Sequence, residues 1–177
     1  MKIKLIALIA LTFAVLTSCN NTSPDIDTSI VENTKALQTS GTHAPAALPS
    51  FQLTDANGAV MNLADLKGKK VFVNLWATWC PPCRVEMPSI EKLYKKIDKE
   101  KVIFIMLSLD QNFDLAKQFV KTNKLKLPVY YPAENLPELF NTEGIPATFI
   151  FNEKGELIKS NEGMDDYNTE AYVQLLK

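Results

Sequence analysis

The sequence predicts an α/β domain: a mixed central sheet with helices on both faces, opened by a β-hairpin. Three observations carry this. Two near-continuous apolar runs, Val71 to Leu75 and Val102 to Leu109, read as strands buried on both sides. Each is followed by apolar residues at helical spacing. Asn57-Gly58 and the segment Asn152 to Gly155 each sit between strand-like runs, the pattern of a tight hairpin turn.

Before the domain, Lys2 and Lys4 precede Leu5 to Leu16, an uncharged and mostly apolar run of 12 residues. That is too short to span a bilayer comfortably. Leu16-Thr17-Ser18-Cys19 follows and resembles the bacterial lipobox. Residues 1–18 are therefore expected to be a lipoprotein signal peptide, with Cys19 acylated as the mature N-terminus. An ordinary secretory signal holding a stray Cys is the alternative. Residues 19–47, rich in Asn, Thr, Ser, Asp, Ala and Pro, read as a flexible tether. The only histidine, His43, falls there and receives no role. Residues 48–177 remain, 130 in all, enough for a single core.

Within that domain, Phe51 to Leu53 and Ala59 to Leu63 form the first hairpin. Val71 to Leu75 is the next strand. The helix behind it carries Met87, Ile90, Leu93, Tyr94 and Ile97 on one face, with Pro88 inside it. After Val102 to Leu109, the residues Phe113, Ala116, Phe119 and Val120 mark a second helix, capped by Asp110 or Asn112. Leu127 to Tyr131 suits a short strand confined by Pro128 and Pro132. Leu136 to Asn141 suits a helical turn or two. Ala147 to Phe151 and Glu156 to Ser160 form the last hairpin, and Tyr172, Val173, Leu175 and Leu176 mark a closing helix.

Composition excludes some functions. The formal net charge is −1, and the 19 basic residues are matched by 20 acids. Nothing resembles the basic stripe that nucleic-acid binding needs.

The chemistry-bearing segment is Trp76-Ala77-Thr78-Trp79-Cys80-Pro81-Pro82-Cys83. It sets two thiols one helical turn apart where a strand gives way to a helix. A Cys at a helix N-terminus faces unpaired N–H groups and the positive end of the dipole, which favours the reactive thiolate. A second Cys one turn on can close a disulfide with it, which is the machinery of reversible two-electron exchange. Zinc needs about four ligands, and only Cys19 and His43 remain to supply them, so no metal is expected. A structural disulfide more often closes a longer loop.

The order of parts over residues 48–177 resembles the thioredoxin superfamily. Within it, the chain resembles the membrane-tethered ResA/TlpA-like thiol–disulfide oxidoreductases of bacteria. The matching residues are Val71 through Arg84, then Glu86 and Pro88, then Gly144-Ile145-Pro146-Ala147-Thr148-Phe149. The resemblance implies a thioredoxin-like fold and a Cys80–Cys83 redox disulfide with no other cofactor. It makes Cys80 the attacking nucleophile and Cys83 the resolving thiol. Glu86, three residues after Cys83 and on the same helical face, resembles a proton acceptor for the resolving thiol; otherwise it is a surface carboxylate near a helix start. Pro146 resembles the family's cis-proline, which presents the backbone of the residue before it, here Ile145, to a substrate peptide. Trp79 is assigned to the exposed apolar rim and Trp76 to the core. Asn74 departs from thioredoxin, which has a buried Asp there, and shifts the acid–base work toward Glu86 or water.

Pro82 lacks an N–H, so only the Cys83 amide remains to cap the Cys80 sulfur. No His or Lys lies between the cysteines. A modest depression of the Cys80 pKa follows, nearer thioredoxin at roughly 7 than a strong oxidant at roughly 3.5. That favours a reductant.

The resemblance thus implies a lipid-anchored envelope reductase facing the extracytoplasmic side. Its substrates would be protein disulfides, in cytochrome c maturation or general thiol repair. A membrane electron-donor protein would restore the dithiol, and the enzyme would act as a monomer. Two alternatives stand beside this. A peroxiredoxin-like peroxidase shares the fold, but its signature Thr and Pro would fall at Ala77 and Val73. A non-catalytic lipid-anchored binding module would need no intact cysteine pair.

Overall fold

The computed structural model describes residues 46–177. Cys19, residues 1–18, His43 and the expected tether as far as residue 45 lie outside the described residues. No helix among the described residues is long and apolar enough to cross a membrane.

The strands are β1 (Gln52–Asp55), β2 (Val60–Asn62), β3 (Lys70–Trp76), β4 (Val102–Ser108), β5 (Val129–Pro132), β6 (Ala147–Phe151) and β7 (Leu157–Glu162). The helices are α1 (Pro81–Lys96), α2 (Phe113–Thr122) and α3 (Glu170–Leu176), with 3-10 helices at Leu63–Leu66 and Glu138–Phe140. The strands form one mixed sheet in the order β2-β1-β5-β4-β3-β6-β7. β3, β4 and β5 run parallel; β6 runs antiparallel to β3.

The alternation along β3 shows how the sheet divides two cores. Val71, Val73 and Leu75 join one cluster, with Phe51, Leu63, Ile105, Phe140 and Phe149. Phe72 and Trp76 join the other, where Met87, Ile90 and Leu93 of α1 pack. Phe72 stacks on Phe104 with ring centroids 4.6 Å apart. Each such buried side chain contributes about 2 kcal/mol of transfer free energy.

All three α-helices add residues to the second cluster, while the first is covered by the two 3-10 helices and loops. The topology explains this asymmetry. Both parallel connections, β3-α1-β4 and β4-α2-β5, step the same way across the sheet. Right-handed crossovers then place α1 and α2 on the same face. Helices do cover both faces, but one face carries only single turns.

Local chemistry sets the hairpins and caps. In the first hairpin, Asp55 Oδ1 accepts from the Asn57 and Ala59 amides at 2.8 Å, and Gly58 takes φ +89°. In the second, Gly155 takes φ +79°, and a Cβ there would lie 3.3 Å from Leu48 Cβ. The backbone has to approach closely because the Leu48 amide donates to the Gly155 carbonyl at 2.6 Å. Asn112 caps α2, accepting from the Asp114 amide at 2.9 Å. Asp110, the other candidate cap, serves the site instead.

Candidate functional site

β3 ends at Trp76, and the four residues after it carry the chain to Cys80. Asp110, just beyond β4, pins that segment. Its buried carboxylate accepts from the Thr78 amide at 3.1 Å, from Thr78 Oγ1 at 2.6 Å and from Ser108 Oγ at 2.8 Å. Asp110→Ala would strand the buried Ser108 hydroxyl and the half-buried Thr78 donors. We expect a loss of about 2–4 kcal/mol by chemical denaturation, with slower disulfide exchange as the Cys80 loop loosens.

Cys80 is the N-cap of α1, and the Cys83 amide donates to its Sγ at 3.2 Å. Pro81 and Pro82 fill the first two helical positions and donate nothing. The two sulfurs form a disulfide, with Cα atoms 5.4 Å apart. Cys83 is wholly buried, whereas Cys80 keeps 3% of its surface exposed. An incoming sulfur therefore reaches Cys80 first.

The Ile145–Pro146 peptide bond is cis. It places the Ile145 carbonyl oxygen 3.7 Å from Cys80 Sγ, a contact and not a hydrogen bond while the sulfur is in the disulfide. Trp79 is 64% exposed and Val85 67% exposed, so apolar surface flanks the cysteines. Trp79 and Ile145 also line a groove of about 410 Å³, with Leu136 and Phe140 on its wall. Arg84 is exposed on α1.

Glu86 is buried, which overturns the surface-carboxylate reading. It faces the sheet. Asn74 Nδ2 donates to Glu86 Oε1 at 2.8 Å, and the Asp165 amide donates to Oε2 at 3.3 Å. Asn74 Nδ2 also donates to Thr148 Oγ1 at 2.9 Å, and the Thr148 and Tyr167 hydroxyls lie 2.7 Å apart. Among the described residues, Glu86 makes no hydrogen bond to either sulfur. Burial pushes the Glu86 carboxyl up to about 7; the Asp165 charge adds to this, and the bonds from Asn74 and Asp165 oppose it. A carboxyl poised there can take or give a proton at neutral pH.

The structure thus brings Cys80, Cys83, Ile145 and Pro146 together, sets Trp79 on the rim and places Glu86 behind the pair. Sequence reasoning missed Asp110 as a loop anchor, and Thr148, Asp165 and Tyr167 around Glu86. The last two had no readable signal, because the irregular segment after β7 shows no periodicity. Thr148 stood inside the Gly144-to-Phe149 match. Its pairing with Asn74, across from it in the β3–β6 register, was the one available clue.

Comparison with known proteins agrees with this geometry. A family model described as Redoxin matches residues 43–176. Thiol-disulfide oxidoreductase ResA of Bacillus thuringiensis subsp. konkukian is 38% identical over 118 residues, covering 65% of this chain and 67% of that protein. ResA of Bacillus subtilis is 31% identical over 131 residues, covering 73% of each. Among solved structures, a thiol:disulfide interchange protein of the thioredoxin family from Chlorobium tepidum aligns with TM-score 0.61 and 28% identity. That alignment covers 75% of this chain and 96% of the other.

Proposed function

The chain belongs to the Redoxin family and is a thiol–disulfide oxidoreductase similar to ResA; on that premise we propose that it works as a reductant of protein disulfides. The observation that carries the direction is the poor donor set at Cys80. One amide reaches its sulfur, and the two prolines before that amide supply none. A weakly stabilised thiolate means a weakly stabilised reduced form, and such a dithiol gives its electrons away readily.

The cycle starts from the dithiol. The Cys80 thiolate attacks one sulfur of a substrate disulfide, and the other substrate sulfur leaves as a thiolate. The Cys83 thiol passes its proton to Glu86 and attacks Cys80 Sγ. The Cys80–Cys83 bond forms, the mixed disulfide breaks, and the second substrate thiolate leaves. Two electrons have moved to the substrate, and both of its thiolates pick up protons. Ile145 offers its backbone beside the attacking sulfur, Pro146 holds it there, and the Trp79 rim receives an apolar flank of the substrate. The disulfide is the redox group, and no further cofactor or metal is required.

In this reading, Cys19 carries the lipid that holds the domain at the extracytoplasmic face of a membrane. Residues 1–18 are the signal and residues 19–47 the tether to the domain at 48–177. A membrane protein returns the electrons, and the substrates lie in cytochrome c maturation or general envelope thiol reduction. The enzyme acts as a monomer.

Direction is tested with a fluorogenic peptide in its disulfide and dithiol forms. The reduced protein should reduce the first faster than the oxidised protein oxidises the second. The opposite ratio would make the protein an oxidant.

A further inference from the structure

The Glu86 carboxyl is gripped from the segment after β7. The Asp165 amide donates to Glu86 Oε2, while the Tyr172 hydroxyl on α3 donates to Asp165 Oδ2. The same segment is stitched to α1 twice more. The Tyr167 amide donates to Ser89 Oγ at 3.1 Å, and Lys96 Nζ donates to Asn168 Oδ1 at 2.7 Å. Tyr172 is itself buried, its ring 4.9 Å from that of Tyr167.

We infer that Asp165 and Tyr172 are positioning residues for Glu86. Asp165 holds the carboxyl through its amide and sets a second negative charge beside it. The Tyr172 hydroxyl, by binding the Asp165 carboxylate, sets how much of that charge Glu86 feels. The inference deepens the reading of Glu86 as proton acceptor and rests on it for its catalytic consequence.

Burial and the Asn74 bond weigh most on Glu86, and Asp165 supplies the neighbouring charge. β3 presents Asn74, β6 presents Thr148 through Asn74, and α1 presents Ser89 and the cysteines; none of these is charged while the disulfide is closed. The hydroxyls of Tyr167 and Tyr172 are held above the ordinary tyrosine range, chiefly by burial, and stay neutral throughout. Lys159 lies over the Tyr172 ring, its Nζ 5.2 Å from the centroid. The charge of Asp165 is thus the one whose distribution a single hydroxyl controls.

The test is a carbon-13 NMR titration of the Glu86 carboxyl in the full-length disulfide form, for wild type, Asp165→Asn and Tyr172→Phe. Asp165→Asn keeps the backbone amide and removes the charge, so the Glu86 midpoint should move down. Tyr172→Phe keeps the ring and frees the charge, so the midpoint should move up. Mere loosening of the segment would shift both variants the same way. Equal or same-sign shifts would overturn the inference. If Tyr172→Phe fails to fold, the Asp165→Asn midpoint is read with hydrogen exchange of the Asp165 amide: a downward shift with protection kept supports the inference, and a downward shift with protection lost overturns it.

The pH profile of substrate reduction separates this from the role of Glu86. A profile that follows the NMR midpoints supports both. Midpoints that move in opposite directions over an unmoved profile support the positioning pair and remove Glu86 from the proton path.

Discussion

Cys80→Ala is expected to bring disulfide reduction down to the uncatalysed rate, while Cys83→Ala should attack once and stop. The asymmetry follows from the two burials. Both cysteines are buried, but Cys80 caps α1 and alone keeps some exposure, so without it no nucleophile is accessible. Cys83 is buried within the first turn of α1, so its loss leaves the first attack intact and removes the group that resolves it. The Cys83→Ala protein should accumulate as a mixed disulfide with peptide, visible as a mass increase that a small dithiol reverses. A non-catalytic binding module would lose nothing in the Cys80→Ala protein. Trapping in Cys80→Ala instead of Cys83→Ala would reverse the assigned roles.

Glu86→Gln is the second large effect, and it reaches stability and rate together. The Glu86 carboxyl is raised to about 7 in the folded chain, from 4.5 unfolded. Between those values the folded state binds the proton more tightly than the unfolded state does. Stability therefore falls as pH rises through that window, by about 3 kcal/mol in all. Below it both states are protonated and the penalty is absent. Gln carries no charge, so the variant should show none of this slope. It loses one of the two hydrogen bonds at the carboxyl, which offsets about 1 kcal/mol. The net expectation is a variant about 2 kcal/mol more stable than wild type at pH 8 and slightly less stable at pH 4. Denaturant titrations at both pH values check it. In the reduction rate, the part of the rise near neutral pH that belongs to Glu86 should be lost, leaving the part set by formation of the Cys80 thiolate. An unchanged rate profile would assign Glu86 a purely structural place.

The sequence was most informative where a residue's role is set by its own neighbours in the chain. Val71 to Leu75 and Val102 to Leu109 announced β3 and β4, because strands buried on both faces admit few polar residues. Cys80 as a cap, and the shortage of donors behind it, could be read from Pro81 and Pro82 alone. Trp79 and Trp76 were separated onto rim and core by their places relative to the strand end. The roles that stayed hidden depend on distant partners. Asp110 reads as a cap for α2, since Asp is a good cap, yet Asn112 takes that place and Asp110 turns to Thr78, 32 residues upstream. Glu86 reads first as a proton acceptor on the cysteine face and second as a surface acid, and only Asn74, Thr148 and the segment after β7, closing over it, decide between them. The one-sided placement of the α-helices followed from strand order, which no local pattern encodes.

Electron flow from the Cys80–Cys83 dithiol to a substrate disulfide rests on how little stabilises the Cys80 thiolate. The most direct measurement is the reduction potential of the Cys80–Cys83 couple, on a fragment from Gly41 to Lys177 equilibrated in defined thiol buffers. We expect a value near or below about −270 mV, the thioredoxin range. A value near about −120 mV, the range of a strong oxidant of folding proteins, would contradict it.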